Sequence, residues 1–449
     1  MFEDIRSLIK YFEEKNDLIR IKKEVDPKFE LAAISKKLDG KSPILFENVK
    51  NQKVVLGFFG TRERIASSLG VNIKELRDYI LKAVENPKPV KIVEDGPVKE
   101  NVTKNFDLRD LPIPTHYEKD AGPYITCGVI IAKDPETGIR NASYHRMLLK
   151  DKDTLGVLIN GWRDLMKYYK KAEEKDSPLE IAICIGLDPS TLFAAAATGV
   201  PIEVDELEIA SSLLGKPMEL VRCEDVDIEV PANTEIVLEG EILPKVRAPE
   251  GPFADFTGIY DIQRDNPIIK IKEIMHRDDP IYQDILPISR EHLLLGAVPR
   301  EPVMYKALKK NVNVQDVHLT LGGCGRFTAV ISIKKEGECE GRDTILTALS
   351  TQRDLKHVIV VDDDIDIFDE RDVEWAITTR YQSDRDTIVI KDLSGSLDPS
   401  GRIDARKLGI ITAKMGMDAT KSFEGGTMRS YEKPKIPFEV DLKKYVEDR

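Results

Sequence analysis

Residues 248–261 read APEGPFADFTGIYD, with two carboxylates, Glu250 and Asp255, five positions apart among Pro, Gly and aromatic residues. On a straight strand, residues five apart point to opposite faces and lie about 17 Å from each other. The two can share chemistry only if the chain bends between them. Gly251-Pro252 permits such a bend, because proline presets φ and glycine lifts the steric limit on it. Two carboxylates folded against Phe253, Phe256 and Tyr260 leave one readier to hold a proton, which suits a general acid. A solvated turn explains the same residues equally well, and residue chemistry alone leaves both readings open.

Other chemical signatures are weaker. Six histidines stand at 116, 145, 276, 292, 318 and 357 with no HExxH and no i, i+4 pair, so each reads as structural. Five cysteines lack CxxC spacing and are odd in number, which argues against a disulfide framework or a structural zinc site. GGCGRF at 322–327 precedes a strand rather than a helix, so it reads as a tight turn and not a phosphate loop. DDDIDIFDERD at 362–372 could gather a cation, but helix capping explains its aspartates better.

Three units must position these residues. Residues 1–100 read as an N-terminal α/β unit. Ile5, Leu8, Ile9 and Phe12 recur at helical spacing, and Asp26-Pro27 predicts the start of a second helix in FELAAISKKL. Residues 101–290 are β-rich, with YITCGVIIA and NASYHRMLL forming a hairpin around DPETG and short helices inserted later. Such a texture predicts a barrel-like or mixed β domain. Residues 291–449 alternate strands and helices, which predicts an α/β sheet with right-handed crossovers. EHLLLGAVPREPVMYKALKKN should be helical with kinks at its prolines, and the last residues predict an extended tail and a final helix. The fold class is thus a multidomain α+β and α/β chain.

Composition bounds the partners. A net charge of -12 over 449 residues argues against a nucleic-acid surface, which needs clustered Lys and Arg. No apolar run reaches spanning length, and the charged start MFEDIRSLIKYFEEKND lacks an apolar core, so neither a membrane span nor a signal peptide is expected. A cytoplasmic protein is the expectation.

Several ordered blocks resemble the UbiD family of reversible decarboxylases, which use prenylated FMN. They are APEGPFADFTGIYD, AGPYITCGVIIAKDPETGIRNASYHRM, DELEIASSLLGKPMELVRCEDVDIEVPANTEIVLEGEILP, KHVIVVDDDIDIFDERDVEWAITTRYQSDRD, SGSLDPS and KMGMDAT, and they span most of the chain. The resemblance implies a flavin-binding split β-barrel in the middle unit and a C-terminal oligomerisation domain. It matches Asn141 and Arg146 to the family's Asn-x4-Arg, Glu206 to its metal-binding Glu, and Glu250 and Asp255 to its catalytic acidic pair. Asn141, Arg146 and Glu206 would serve the cofactor. Many members place a third metal ligand, a His, where this chain has Asp164. A carboxylate there suits manganese or magnesium, although Asp164 could instead only open a helix.

The implied cofactors are prenylated FMN, Mn2+ (or Mg2+) and K+. By the same resemblance Arg146 orients the substrate carboxylate, Glu250 pairs with Arg146, and Asp255 delivers the proton. Members often carry Glu in the last position, so Asp255 is one methylene short. The implied activity is a carboxy-lyase for an α,β-unsaturated acid. The favoured substrate is trans-anhydromevalonate 5-phosphate of an isoprenoid route; the alternative is 3-polyprenyl-4-hydroxybenzoate or another aromatic acid. A flavin-binding redox protein without decarboxylase activity is the reading from another class. A phosphorylated substrate needs basic groups near the pocket mouth, for which Arg290 and Arg300 are candidates. Implied partners are the acid substrate, a flavin prenyltransferase as cofactor supplier, and copies of the same chain in a homodimer or homohexamer.

Overall fold

Helical periodicity and a cap define the first element. Ile5, Leu8, Ile9 and Phe12 line the buried face of helix Ile5–Glu14, and Asp4 accepts the Ser7 N–H at its start. The computed structural model describes residues 1–197, 200–395, 397–404, 409–423, 431, 433–441 and 445. The helix expected at the C-terminal end falls largely outside them. Helix Glu30–Leu38 starts later than Asp26-Pro27 predicts: Asp26 turns its carboxylate to the Lys28 N–H, and Phe29 takes a positive φ. No helix among the described residues is long and apolar enough to cross a membrane.

The first sheet has the order Ile19–Ile21, Ile44–Val49, Gln52–Leu56, Ile281–Gln283. Its last strand arrives from 225 residues downstream of the third and pairs parallel with it, Lys53 to Ile281 through Val55 to Gln283. The core is shared as well. Ile5, Leu8 and Phe58 belong to one buried cluster with Phe193, Leu207 and Met275 of the middle region.

The middle sheet has nine strands, and all of its pairings are antiparallel. Along its path Tyr124–Ile125 and then Met147–Asp151 stand at one end, and Arg140–Tyr144 stands at the other. Tyr144 and Met147 are separated only by His145 and Arg146. A two-residue link spans at most about 10 Å, so the two ends must meet and the sheet must curl. No pairing joins strand Arg140–Tyr144 to Met147–Asp151 across that meeting. The result is a barrel split along one seam, with Arg146 at the seam.

The C-terminal sheet has the order Val314–Leu319, Thr328–Ile333, His357–Asp362, Gly409–Ala419, Thr387–Gly395. Its three central strands are parallel, with helix Glu340–Thr351 crossing between the first two of them. The proline-rich stretch expected to kink splits into two helices, Arg290–Ala297 and Glu301–Leu308. Aspartates of DDDIDIFDERD cap helix Glu370–Arg380 through Asp369 and hold Arg380 through Asp362 and Asp364.

One buried ion pair ties the outer units together. Arg62 donates to both carboxylate oxygens of Glu301 at 2.9 and 2.7 Å, and Glu301 also accepts the Leu319 N–H. Burial opposes the Glu301 charge, but Arg62 and His318 hold its pKa down at about 2. Arg62→Ala should lower the thermal unfolding midpoint by calorimetry, with a cost of roughly 3 kcal/mol for leaving a buried charge unpaired. Arg62→Lys should recover only part of it, because an ammonium cannot reproduce the two-pronged contact.

Candidate active site

The bend expected at Gly251-Pro252 is present. Strand Ile236–Glu250 ends there, and Phe253–Ala254 turns back to pair with Tyr260–Asp261. Gly251 takes φ +93°, and a Cβ on it would lie 2.9 Å from the Ile262 carbonyl oxygen. The position therefore demands glycine. The turn brings Glu250 and Asp255 onto one guanidinium. Arg146 donates from Nε and Nη2 to Glu250 at 3.0 and 3.1 Å, and from Nη1 to Asp255 Oδ2 at 2.9 Å.

A third carboxylate joins them. Arg146 Nη2 also donates to Asp261 Oδ2 at 3.0 Å, and the ring of Phe253 lies 4.9 Å from the guanidinium carbon. Asp261 is the last residue of APEGPFADFTGIYD, and sequence reasoning passed over it. The signal was its place opposite Phe253 in the hairpin. Burial works against the Arg146 charge, yet Glu250, Asp255 and Asp261 together push its pKa above the ordinary arginine value. Four of its five N–H donors are thereby engaged. Only one remains for a substrate carboxylate.

Exposure separates the acids. The Glu250 side chain is 0% exposed, whereas that of Asp255 is 26% exposed. Glu250 is further locked by Tyr124 Oη at 2.9 Å and Asn266 Nδ2 at 2.9 Å. Arg146 and Asp255 line a cavity of about 370 Å³, and Glu250 lies behind them. Phe253 and Phe256 form part of its wall, while Tyr260 stands outside and accepts the Lys119 N–H.

Asn141, Glu206 and Asp164 line the same cavity. Asn141 sits on strand Arg140–Tyr144, and Glu206 opens helix Glu206–Leu214, capped by Asp205. Asn141 Nδ2 donates to Glu206 Oε1 at 3.0 Å, and the Ala142 N–H donates to Oε2 at 2.9 Å. Burial pushes the Glu206 pKa up to about 8, against the Ala142 N–H and Arg163, which favour its charged form. Asp164 lies in the first turn of helix Asp164–Glu174 and accepts from Lys167 Nζ at 2.7 Å. A buried carboxylate, an amide and a second carboxylate are hard donors suited to a divalent cation that keeps other oxygen ligands. Among the described residues no cluster of three or more His, Cys, Asp or Glu forms a metal centre by itself.

The cavity lining also has basic groups. Arg163, Arg300 and Arg326 line the cavity beside His292. Arg326 belongs to GGCGRF, which is a turn as expected, but its arginine reaching the cavity was not anticipated. Of the two arginines considered for a phosphate, Arg300 lines the cavity. Arg290 does not; its backbone N–H donates to Asp39 and its Nε to the Gly60 carbonyl.

A curled central sheet flanked by two α/β units is the fold of UbiD-class enzymes. The structure of HmfF from Pelotomaculum thermopropionicum in complex with FMN matches at a TM-score of 0.94 and 45% identity, over 99% of this chain and 100% of that one. An evolved dimeric form of the same enzyme in complex with prFMN matches at 0.91 and 43% identity, over 99% and 100% of the two chains. Three family models cover the chain in order. They describe the N-terminal, Rift-related and C-terminal domains of 3-octaprenyl-4-hydroxybenzoate carboxy-lyase, at residues 9–84, 91–290 and 293–419. The chain belongs to the UbiD family. It is similar to the anhydromevalonate phosphate decarboxylase of Methanothermobacter thermautotrophicus, 45% identical over 404 residues, 89% of this chain and 93% of that one. The protein of the same description from Methanosarcina mazei is 42% identical over 420 residues, 93% of this chain and 96% of that one.

The bend is a testable element. Gly251→Ala should impose roughly 1–3 kcal/mol of backbone strain and move Glu250 off Arg146. A lower unfolding midpoint together with reduced turnover is expected; a fully active and equally stable variant would show that the turn tolerates a side chain.

Proposed function

We propose that this chain is a carboxy-lyase that removes carbon dioxide reversibly from trans-anhydromevalonate 5-phosphate, using prenylated FMN. The observation that carries the reading is the split between Glu250 and Asp255. Both are bound to Arg146, but only Asp255 reaches the cavity. Support comes from relatives described as anhydromevalonate phosphate decarboxylases and from the UbiD-class structure holding prFMN.

When bound, prenylated FMN supplies the electron sink for the charge left on carbon as carbon dioxide departs. The protein supplies placement and a proton. Asp255, which first takes up a proton from water on its open side, gives that proton to the carbon that lost its carboxylate. Arg146 fixes the direction of the Asp255 carboxyl through Oδ2, and Glu250, Asp261 and the Phe253 ring fix Arg146. Phe256 and Phe253 keep water from the reacting carbon. Asn141 and Glu206, with Asp164 as the third ligand, would hold Mn2+ or Mg2+ next to the flavin phosphate, with K+ nearby. We further place the protein in the cytoplasm as a homodimer or homohexamer, with a flavin prenyltransferase supplying the cofactor.

Enzyme co-expressed with a flavin prenyltransferase should release carbon dioxide from trans-anhydromevalonate 5-phosphate and not from 3-polyprenyl-4-hydroxybenzoate; the reverse would sink the substrate. Asp255→Asn should lower turnover by roughly 10²–10⁴-fold, as for loss of a general acid, while flavin absorbance is retained. Near-normal turnover would remove Asp255 from the chemistry. Asn141→Ala should lose metal and flavin together on dialysis, measured by metal analysis and absorbance. Stoichiometric flavin in that variant would contradict the metal role.

A further inference from the structure

The cavity lining carries both signs of charge. Arg146 is outnumbered by three carboxylates. Arg163, Arg300 and Arg326 line the same space, and among the described residues none of the three makes an ion pair with a carboxylate. Arg300 is only 7% exposed, and the hydrogen bond its side chain makes is to the Gly296 carbonyl.

Two of these guanidiniums converge. Arg300 stands at the break between helices Arg290–Ala297 and Glu301–Leu308. Arg326 comes from the 322–327 turn, which packs so close to Arg290–Ala297 that a Cβ on Gly325 would meet the Leu293 carbonyl oxygen at 2.5 Å. A Cβ on Gly296 would lie 3.4 Å from Arg326 Nε, 3.7 Å from its Nη2 and 3.6 Å from Arg300 Nη1. Gly296 thus leaves room for both groups over one point. The Arg326 guanidinium also covers the ring of Phe256, the residue after Asp255, at 4.3 Å. His292 is neutral there, its pKa pushed down to about 4 by burial and by Arg326 against Asp255, which favours its charged form. Its Nδ1 accepts the Ile288 N–H, which leaves Nε2 as a donor. Burial and Arg326 push the Arg300 pKa down to about 9, while Asp354, which lines the same cavity, favours its charged form.

Like charges brought together out of water are costly unless an anion lies between them. The reacting carboxylate is a poor candidate. Two guanidiniums on it would stabilise the charge that the reaction must remove, and so raise the barrier. The anion is therefore a group that does not react. A phosphate monoester offers nearly two charges and three acceptor oxygens to two planar forks, whereas a carboxylate would leave one guanidinium uncompensated.

We propose that Arg300 and Arg326, with His292 beside them, form a subsite for a phosphate monoester on the non-reacting end of the substrate. This rests on the reading of the cavity as the site of a carboxy-lyase for a phosphorylated acid. It assigns substrate selection to the C-terminal unit and proton delivery to the middle one.

The test uses cofactor-loaded enzyme, wild type and the variants Arg300→Gln, Arg326→Gln and Arg326→Lys. Each glutamine variant should raise KM for the phosphorylated acid by about 10–100-fold, the scale of a lost charge-assisted contact, with kcat falling less. Arg326→Lys should regain part of the loss, which a merely misfolded variant would not. Inorganic phosphate, titrated by calorimetry into wild type, should bind more tightly than glutarate and lose its binding in both glutamine variants. Unchanged KM, or glutarate binding as tightly as phosphate, would overturn the subsite. Loss of flavin from both glutamine variants at unchanged phosphate affinity would overturn it in favour of the cofactor's own phosphate. Absence of turnover in wild type would sink the substrate reading only, because the phosphate titration decides the subsite without any reaction.

Discussion

The Arg146 guanidinium is buried at the seam of a curled sheet, and the site is organised around neutralising it. A buried cation is tolerated only when paired and hydrogen-bonded. Glu250, Asp255 and Asp261 meet that demand from one short excursion of chain, and four of the five Arg146 donors are used. Meeting the demand forces geometry. The two-residue link between strands Arg140–Tyr144 and Met147–Asp151 fixes where Arg146 stands, and the turn after Glu250 must then bring three acids to it.

Because the cation is shared, the acids divide their work by depth. Glu250 has no route to the cavity and is held by Tyr124 and Asn266 as well as by Arg146. Asp255 keeps an open side. Its short side chain is no handicap when Arg146 and its own neighbour Phe256 N–H hold both oxygens in place. The acid cluster on Arg146 and three arginines without a carboxylate partner among the described residues line the one cavity.

Local chemistry was readable where near neighbours decide it. The face of Ile5–Glu14, the hairpin joining Val129–Lys133 to Arg140–Tyr144 and the glycine bend at 251 all depend on residues a few positions apart. The start of Glu30–Leu38 was misjudged because the Asp26 carboxylate found a nearer N–H at Lys28. Strand Ile281–Gln283 carries no mark of its parallel partner far upstream, so the return of the chain to the first sheet was invisible.

The same division holds at the site. By itself the sequence determined which residues could do the chemistry. Glu250, Asp255, Arg146, Asn141 and Glu206 were named from motif blocks and Asp164 from its spacing to Arg146, because spacing along the chain is legible without a structure. Tertiary structure decided what each of them meets. It set Asp261 on Arg146, Glu250 out of reach, and Arg300 and Arg326 together over Gly296, while the Arg290 side chain turned away to the Gly60 carbonyl. The physical reason is that burial and the pairing of charges depend on distances in space. Residues 146, 250, 300 and 326 acquire those distances only when the sheet curls and the two outer units close around it.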